Sequence, residues 1–173
     1  MISEILHRAK ILVIDDEVSN IRLLEKILVR EGYGQVSTTT DPRHAITMFT
    51  ENEPDLVLLD LYMPHINGFE IMDTFNDLLP ENSFLPIIVL TADTTAKTRH
   101  NALDAGASDF LCKPFDNLEV TLRIRNALRT RFLYRELKNQ NQILLDVFPN
   151  WRRSKPEPVK KSRELEAAVA QPS

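Results

Sequence analysis

Residues 54–60 read Pro-Asp-Leu-Val-Leu-Leu-Asp, which predicts a strand at Asp55–Leu59 followed directly by a carboxylate. Three other apolar runs have similar length and composition: Ile11–Ile14, Pro86–Leu90 and Asp109–Cys112. Apolar side chains at consecutive positions indicate strands that are covered on both faces, which is typical of a parallel sheet. These runs therefore predict the centre of one parallel β-sheet.

The segments between the strands have helical spacing. A weaker strand is predicted at Gln35–Thr39, which is rich in β-branched threonine. Apolar stripes of helical period begin at Ile21, Ala45 and Phe69, and a short polar helix is predicted at Ala96–Ala105. With a further helix after the last strand, the pattern predicts an α/β fold: a doubly wound (βα)5 sandwich with a five-stranded parallel sheet and helices on both faces.

The composition is that of a globular protein. The chain has 173 residues, of which 43% are hydrophobic and 27% are charged. It has four glycines, and neither G-x-G-x-x-G nor a P-loop can be written with them, which excludes the two common glycine-rich nucleotide sites. The single Cys112 excludes a disulfide framework and a cysteine-cluster metal site. Wholly apolar runs reach only four residues, as at Leu56–Leu59, so we expect no membrane span, no signal peptide and a cytoplasmic protein.

The last helix is predicted to be unusually long. Asp116 and Glu119 form a pattern similar to a capping box, and neither proline nor glycine occurs from there to about Phe148. The end of this helix has a 3–4 spacing that favours either a coiled-coil seam or an amphipathic extension that frays. The seam positions are Leu133, Leu137, Gln140, Leu144 and Val147.

The charge and the proline distribution divide the chain into three regions. We predict a domain core at residues 1–116, the fifth helix and its extension at 117–148, and a flexible proline-punctuated tail at 149–173. The net charge of -4 combines an acidic core, with 9 Lys+Arg against 19 Asp+Glu, and a basic remainder, with 12 against 6. Arginines of the long helix could meet an acidic surface of a partner.

Chemically active side chains follow the predicted strands at their carboxyl ends. Asp15 and Asp16 follow the first strand, Asp60 the third, Thr91 the fourth and Lys113 the fifth. We expect them to converge, because ligands of a doubly wound sheet bind at this edge. Clustered carboxylates need a cation, and oxygen ligands favour a hard ion such as Mg²⁺. A carboxylate can also act as a nucleophile and form an acyl phosphate, whose oxygens Lys113 and Thr91 would contact.

Each of these residues also has a plainer interpretation. Asp15 or Asp16 is suited to cap the first helix, Thr91 to a turn and Lys113 to the surface. Asp60 is harder to explain in this way, because an unpaired carboxylate at the end of a buried run is costly.

Five motifs occur in order along the chain. They are Ile11-Leu-Val-Ile-Asp-Asp-Glu17, Pro54-Asp-Leu-Val-Leu-Leu-Asp60, Met63-Pro64 with Asn67-Gly68, Pro86-Ile-Ile-Val-Leu-Thr-Ala92 and Gly106-Ala-Ser-Asp-Phe-Leu-Cys-Lys-Pro-Phe115. Together they resemble the receiver domain of two-component response regulators, over about residues 9–130. The resemblance is to the class of the chemotaxis protein Y and implies a flavodoxin-like arrangement of the sheet.

The resemblance implies a phosphorylation site. Asp60 is the implied acceptor of a phosphoryl group from the phosphohistidine of a histidine kinase. The implied Mg²⁺ ligands are Asp15, Asp16, Asp60 and the backbone carbonyl of Tyr62. Lys113 is the implied phosphate-contacting lysine.

The resemblance also implies a switch. Thr91 is the implied switch hydroxyl and Phe110 the switch aromatic, and the bond between Lys113 and Pro114 is implied to be cis. Phe110 stands where the family often has tyrosine, so it lacks a hydroxyl for hydrogen bonding. An aromatic residue in a buried strand is also a common core residue, which is the plainer interpretation of Phe110.

We therefore predict a phosphorylation-controlled switch rather than an enzyme. Its implied partners are a histidine kinase or phosphotransfer protein, a second copy bound through residues 118–148, and an output enzyme. Residues 123–137 resemble the linker helix of regulators that carry cyclic-di-GMP enzymes of the HD-GYP or GGDEF type. No helix-turn-helix follows, so we expect no direct nucleic-acid binding.

Three alternative functions stay open at this point. The chain could be an adaptor of the pseudo-receiver type, which works without phosphate, or a regulatory fragment of a cyclic-di-GMP phosphodiesterase. It could also be a phosphotransferase of the haloacid-dehalogenase type. That family has a second acid two residues after its nucleophile, where this chain has Tyr62.

Overall fold

The computed structural model describes residues 7–93 and 95–147, which contain one parallel sheet. Its strands are β1 (Lys10–Ile14), β2 (Gln35–Thr39), β3 (Leu56–Asp60), β4 (Ile87–Thr91) and β5 (Asp109–Cys112). In these residues the five strands lie in the order β2-β1-β3-β4-β5, which is the flavodoxin-like order. The predicted fold class is confirmed.

The helices that follow the strands cover both faces of the sheet. They are α1 (Val18–Arg30), α2 (Ala45–Asn52), α3 (Gly68–Leu78), α4 (Ala96–Asp104) and α5 (Asn117–Val147), with a short 3-10 helix at Pro42–His44. Alternate strand residues face a core under α1 and α5, and the others face a second core under α2, α3 and α4. Every residue of β3 and β4 is buried, which explains their unbroken apolar runs.

Two strands end one residue later than the sequence predicts. Asp60 and Thr91 are the last residues of β3 and β4 rather than the first residues beyond them, because they pair with Leu90 and Cys112 of the neighbouring strands. Both side chains are therefore held on an ordered strand end and not on a loop.

Helix α5 begins as predicted and continues for 31 residues. The backbone N–H of Glu119 donates to the Asp116 side chain at 2.8 Å, so Asp116 caps the helix. Val120, Ile124 and Leu128 are buried against the sheet. The first half of α5 is thus part of the domain core.

The following turn of α5 is tied to β3 by charged contacts. Asp55, buried just before β3, accepts a hydrogen bond from Nη1 of Arg135 at 2.8 Å, and Nε of Arg131 lies 3.8 Å from the same carboxylate oxygen. The Tyr134 hydroxyl donates to the carbonyl of Asn82 at 2.8 Å. We call Asp55, Arg131 and Arg135 the Asp55 clamp. It holds residues that are up to 80 positions apart in the chain.

The chain divides into two compact units, with the boundary between Arg135 and Glu136. The predicted regions 1–116 and 117–148 stay predictions, and the predicted tail at 149–173 lies outside the described residues. In residues 7–93 and 95–147, no helix is long and apolar enough to cross a membrane.

Candidate functional site

The three aspartates predicted at the sheet edge lie together. One carboxylate oxygen from each of Asp15, Asp16 and Asp60 lies within 4.8 Å of the other two. Asp15 is fully buried, Asp60 is 4% exposed and Asp16 is exposed. Asp15 directly follows β1 and Asp60 ends β3, and these two strands pair in parallel, so their carboxyl ends place both side chains at one point of the edge.

Lys113 joins two of these carboxylates. Its Nζ lies 2.6 Å from Oδ2 of Asp60 and 2.8 Å from Oδ2 of Asp15. Burial lowers the pKa of Lys113, but the hydrogen bonds to Asp15 and Asp60 raise it more, so the net shift is upward and the side chain stays an ammonium. The Lys113 N–H donates to the Thr91 carbonyl at 2.8 Å, and the bond to Pro114 is cis, as the resemblance implied.

The carboxylate of Asp60 is held at both oxygens. Oδ1 accepts the backbone N–H of Tyr62 at 3.2 Å, and Oδ2 accepts the Lys113 ammonium. Burial raises the pKa of Asp60 above its ordinary value, while the hydrogen bond and charge of Lys113 oppose this shift. Asp60 is thus a buried carboxylate that shares one cation with Asp15.

The start of α1 holds Asp15 in place. The Asp15 carboxylate accepts the backbone N–H of Glu17 at 2.9 Å, and Nδ2 of Asn20 donates to both of its oxygens at 3.1 Å. The N-cap residue of α1 is Glu17, so the interpretation of Asp15 or Asp16 as the helix cap is wrong. The sequence did not reveal this role of Asn20, because an amide five residues after a carboxylate has no recognised sequence signature.

A cavity of about 400 Å³ opens beside Asp16, Asp60 and Lys113. The clustered carboxylates are hard oxygen donors, and the opening leaves room for the water ligands that Mg²⁺ retains. The side chain of Tyr62 is 57% exposed at the cavity wall, and the part predicted for its carbonyl stays a prediction. The cavity is lined by Asp16, Glu17, Asp60, Tyr62, Ala92 and Lys113.

The hydroxyl of Thr91 contacts a different group. Thr91 is 1% exposed, and its Oγ1 accepts the backbone N–H of Asp93 at 3.0 Å. The Asp93 carboxylate in turn accepts the Thr98 hydroxyl of α4 at 2.5 Å, and this bond lowers the pKa of Asp93. The structure therefore brings together the predicted carboxylates and the ammonium, while it connects Thr91 to the first turn of α4 through Asp93, a link that the sequence did not reveal.

Phe110 is half-buried on β5, between α4 and α5. Its ring packs against the core on the α2, α3 and α4 side of the sheet. The guanidinium groups of Arg99 and Arg123 both lie over the ring. The plainer interpretation of Phe110, a core residue, accounts for only part of these surroundings.

Comparisons with known proteins identify the family of the chain. Residues 11–125 match the family model of the response regulator receiver domain. Response regulator PleD of Caulobacter vibrioides is 38% identical over 132 residues, which are 76% of this chain and 29% of that protein. Transcriptional regulatory protein YvrH of Bacillus subtilis is 31% identical over 143 residues, which are 83% of this chain and 59% of that protein.

A solved structure is also similar to this chain in fold and sequence. NtrX from Brucella abortus superposes with a TM-score of 0.70 at 32% identity, over 77% of this chain and 29% of that chain. The chain thus spans less than two thirds of the length of these relatives. The family match covers the strands that carry the aspartates, Thr91 and Lys113, and the chain belongs to the receiver-domain family of two-component response regulators.

Proposed function

We propose that this receiver domain accepts a phosphoryl group on Asp60 from the phosphohistidine of a histidine kinase or phosphotransfer protein. The observation that carries the proposal is the pairing of a buried carboxylate with one ammonium, 2.6 Å apart, at the edge of a clustered aspartate set. This arrangement supplies a nucleophile and a group to receive the phosphoryl oxygens at the same point.

In the proposed reaction an oxygen of Asp60 attacks the phosphorus atom. The P–O bond of an acyl phosphate forms as the P–N bond of the phosphohistidine breaks, and the histidine nitrogen keeps the electron pair and takes up a proton. The ammonium of Lys113 balances the charge on the transferred oxygens, and the amide of Tyr62 orients the Asp60 carboxylate beforehand.

Receiver domains bind Mg²⁺ at an acidic aspartate cluster, and the cluster of this chain suits the same ion. We propose Asp15, Asp16, Asp60 and the Tyr62 carbonyl as its ligands. A bound Mg²⁺ would neutralise charge on the phosphoryl oxygens. The described carboxylates would hold it, with Asp15 oriented by Asn20.

Phosphorylation is proposed to act as a switch and not as a step of enzymatic turnover. Thr91 turns from Asp93 toward the phosphoryl group, and Phe110 moves into the space that Thr91 leaves. The surface formed by α4, β5 and α5, which we call the α4-β5-α5 face, then changes its preference for a partner.

The decisive experiment is phosphorylation by a small phosphodonor, such as acetyl phosphate with Mg²⁺, followed by intact-protein mass spectrometry. Wild type should gain one acid-stable, base-labile phosphoryl group, and Asp60→Asn should gain none. Asp73→Asn, which changes an exposed carboxylate on α3, is the matched control and should label like wild type. Persistent labelling of Asp60→Asn would exclude Asp60 as the acceptor.

The decay of the label separates the other functions. A half-life of minutes to hours supports the switch, rapid steady turnover of the donor supports a haloacid-dehalogenase-like phosphotransferase, and no label supports a phosphate-independent adaptor. The second acid that a phosphotransferase of that type requires is absent, because the position holds the exposed side chain of Tyr62.

We also propose a homodimer formed through the end of α5, and an output enzyme as a further partner. The apolar seam side chains of the helix end are largely exposed, as apolar residues of a coiled-coil seam are in a single copy. Their exposed fractions are 59% for Leu133, 57% for Leu137, 55% for Leu144 and 61% for Val147. A cyclic-di-GMP enzyme as the output stays a proposal from the resemblance of residues 123–137.

A further inference from the structure

Two arginines from different helices converge on the ring of Phe110. The Cζ atom of Arg99, on α4, lies 5.2 Å from the ring centroid, and that of Arg123, on α5, lies 5.4 Å from it. Both distances are within the range in which a guanidinium is attracted to an aromatic face. The ring therefore joins α4, β5 and α5 through contacts that a leucine could not make. We call Arg99, Phe110 and Arg123 the arginine–phenylalanine stack.

Arg123 is fixed over the ring by two carboxylates. Its Nη1 lies 2.6 Å and 2.7 Å from the two oxygens of Asp109, and its Nε donates to Glu119 at 2.8 Å. Oδ1 of Asp109 also accepts the backbone N–H of Phe110 at 2.8 Å. One carboxylate thus positions both the backbone of the aromatic residue and the cation above its ring.

The first turn of α4 connects this stack to Thr91. Arg99 directly follows Thr98, whose hydroxyl donates to the Asp93 carboxylate, and the Asp93 N–H holds the Thr91 hydroxyl. The conformation in which Thr91 bonds Asp93 is therefore the one in which Phe110 lies under both arginines. We expect a ring that moves toward the place of Thr91 to leave both guanidinium groups.

We infer that Arg99 and Arg123 are positioning residues that hold Phe110 in this conformation and set how readily phosphorylation of Asp60 changes the α4-β5-α5 face. The inference rests on the proposed function, since it concerns the regulation of that switch. It assigns the arginines no contact with the phosphoryl group. Their effect passes through the ring, which they stabilise in one of its two positions.

The test measures the affinity of the full chain for beryllium trifluoride with Mg²⁺, a stable mimic of the phosphoryl group on aspartate, by titration calorimetry. Arg99→Gln and Arg123→Gln should each bind the mimic about two- to fivefold more tightly, because each loses one cation–π contact that favours the unswitched conformation. Arg125→Gln, which changes an exposed arginine on the same helix, should match wild type.

A second set of variants, made in the Phe110→Leu protein, separates an effect that acts through the ring from a general effect on folding. Phe110→Leu keeps an apolar side chain but has no aromatic face, so adding Arg99→Gln or Arg123→Gln to it should leave the affinity unchanged. Circular dichroism of each variant reports on its folding. Effects of the same size in both backgrounds would overturn the inference, as would arginine variants that bind the mimic like wild type or more weakly.

Asp60→Asn distinguishes failure of the inference from failure of the proposed function. If wild type and Asp60→Asn bind the mimic alike, the proposed function fails and the inference fails with it. If binding requires Asp60 and the arginine variants still match wild type, the inference alone is overturned. Asp60-dependent binding that tightens in both arginine variants, but not in the Phe110→Leu background, supports both.

Discussion

At the scale of single residues, the site depends on the close packing of Gly68 against the backbone at the end of β3, as well as on charge. Gly68 is buried at the start of α3, and its N–H donates to the Leu61 carbonyl at 2.9 Å. A Cβ atom at this position would lie 2.4 Å from the carbonyl oxygen of Asp60 and 2.8 Å from the Cα of Leu61. Because both are backbone atoms, the end of β3 itself would have to move.

We therefore expect Gly68→Ala to lower the free energy of unfolding by about 1–3 kcal/mol, the usual cost of overpacking. It should also reduce labelling of Asp60, since the strand end that carries the carboxylate is displaced. Urea unfolding and the phosphodonor assay measure the two effects.

The matched control is Gly34→Ala, where an added Cβ meets nothing within 4 Å. It should be neutral, or slightly stabilising through the unfolded chain. Equal stability of the two alanine variants would contradict the proposed crowding at Gly68.

A second residue-scale prediction concerns pH. Burial raises the pKa of Asp60 in the folded chain above its ordinary value of 3.8. The folded state therefore holds this proton more tightly than the unfolded state, and the charge on Asp60 lowers stability as the pH rises through the folded pKa. In metal-free buffer near pH 7, Asp60→Asn should raise the free energy of unfolding by about 1 kcal/mol.

The gain should shrink as the pH falls through the raised pKa of Asp60, where the wild-type carboxyl becomes protonated. Urea unfolding of both proteins across this range, with a chelator present, checks the sign. An Asn variant that is less stable than wild type near pH 7 would show that the pairing with Lys113 outweighs the cost of burial.

At the scale of elements, the Asp55 clamp shows that α5 does more than pack against the sheet. It also forms ion pairs with Asp55, just before β3. Three of the arginines that the sequence offered for a partner surface are instead paired within the chain: Arg123 with Asp109 and Glu119, and Arg131 and Arg135 with Asp55. That arginines of this helix meet an acidic partner surface stays a prediction. Arg125 and Arg129 are exposed, and so is Arg135, whose side chain is 55% exposed.

Asp55→Asn should lower the free energy of unfolding by about 1–3 kcal/mol, because it leaves the largely buried Arg131 without its counter-charge. Hydrogen exchange of the amides around Arg131 should accelerate in this variant, while exchange at Ile124 follows the global stability.

A double-mutant cycle with Arg131→Met isolates the interaction. The double variant should be more stable than the sum of the two single changes predicts. Strict additivity would show that the clamp contributes no coupling between β3 and α5. Asp104→Asn, which changes an exposed carboxylate on α4, is the control and should change stability by no more than about 0.5 kcal/mol.

At the scale of the whole molecule, the structure changes how the proposed dimer must be tested. A chain that ends before Val120 would lose Val120, Ile124 and Leu128 from the core, so it would report on folding and not on association. A chain that ends at Arg135 keeps the core and the Asp55 clamp but lacks the seam positions from Leu137 onward.

Light scattering should show a dimer for residues 1–150 and a monomer for residues 1–135. The full-length pair Leu137→Gln with Leu144→Gln should also be monomeric, since it removes the apolar surface of the seam. Lys138→Gln is the control and should stay dimeric. Equal monomer masses for both lengths would refute the homodimer.

The sequence by itself determined the fold and most of the candidate site. Unbroken apolar runs such as Leu56–Leu59 indicate cover on both faces, and the helical segments between the strands provide it in a parallel sheet. Once the strands are parallel, their carboxyl ends share an edge, so Asp15, Asp16, Asp60 and Lys113 had to come close to one another.

Only the tertiary structure decided which of these groups bond to each other and what supports them. Nζ of Lys113 bridges Asp15 and Asp60, Asn20 holds Asp15, and the hydroxyl of Thr91 bonds Asp93. Such contacts depend on rotamers and on distances of a few tenths of an ångström, which residue type and spacing do not encode. The Asp55 clamp and the arginine–phenylalanine stack were likewise invisible in the sequence, because each joins elements whose relative position exists only once the whole sheet has formed.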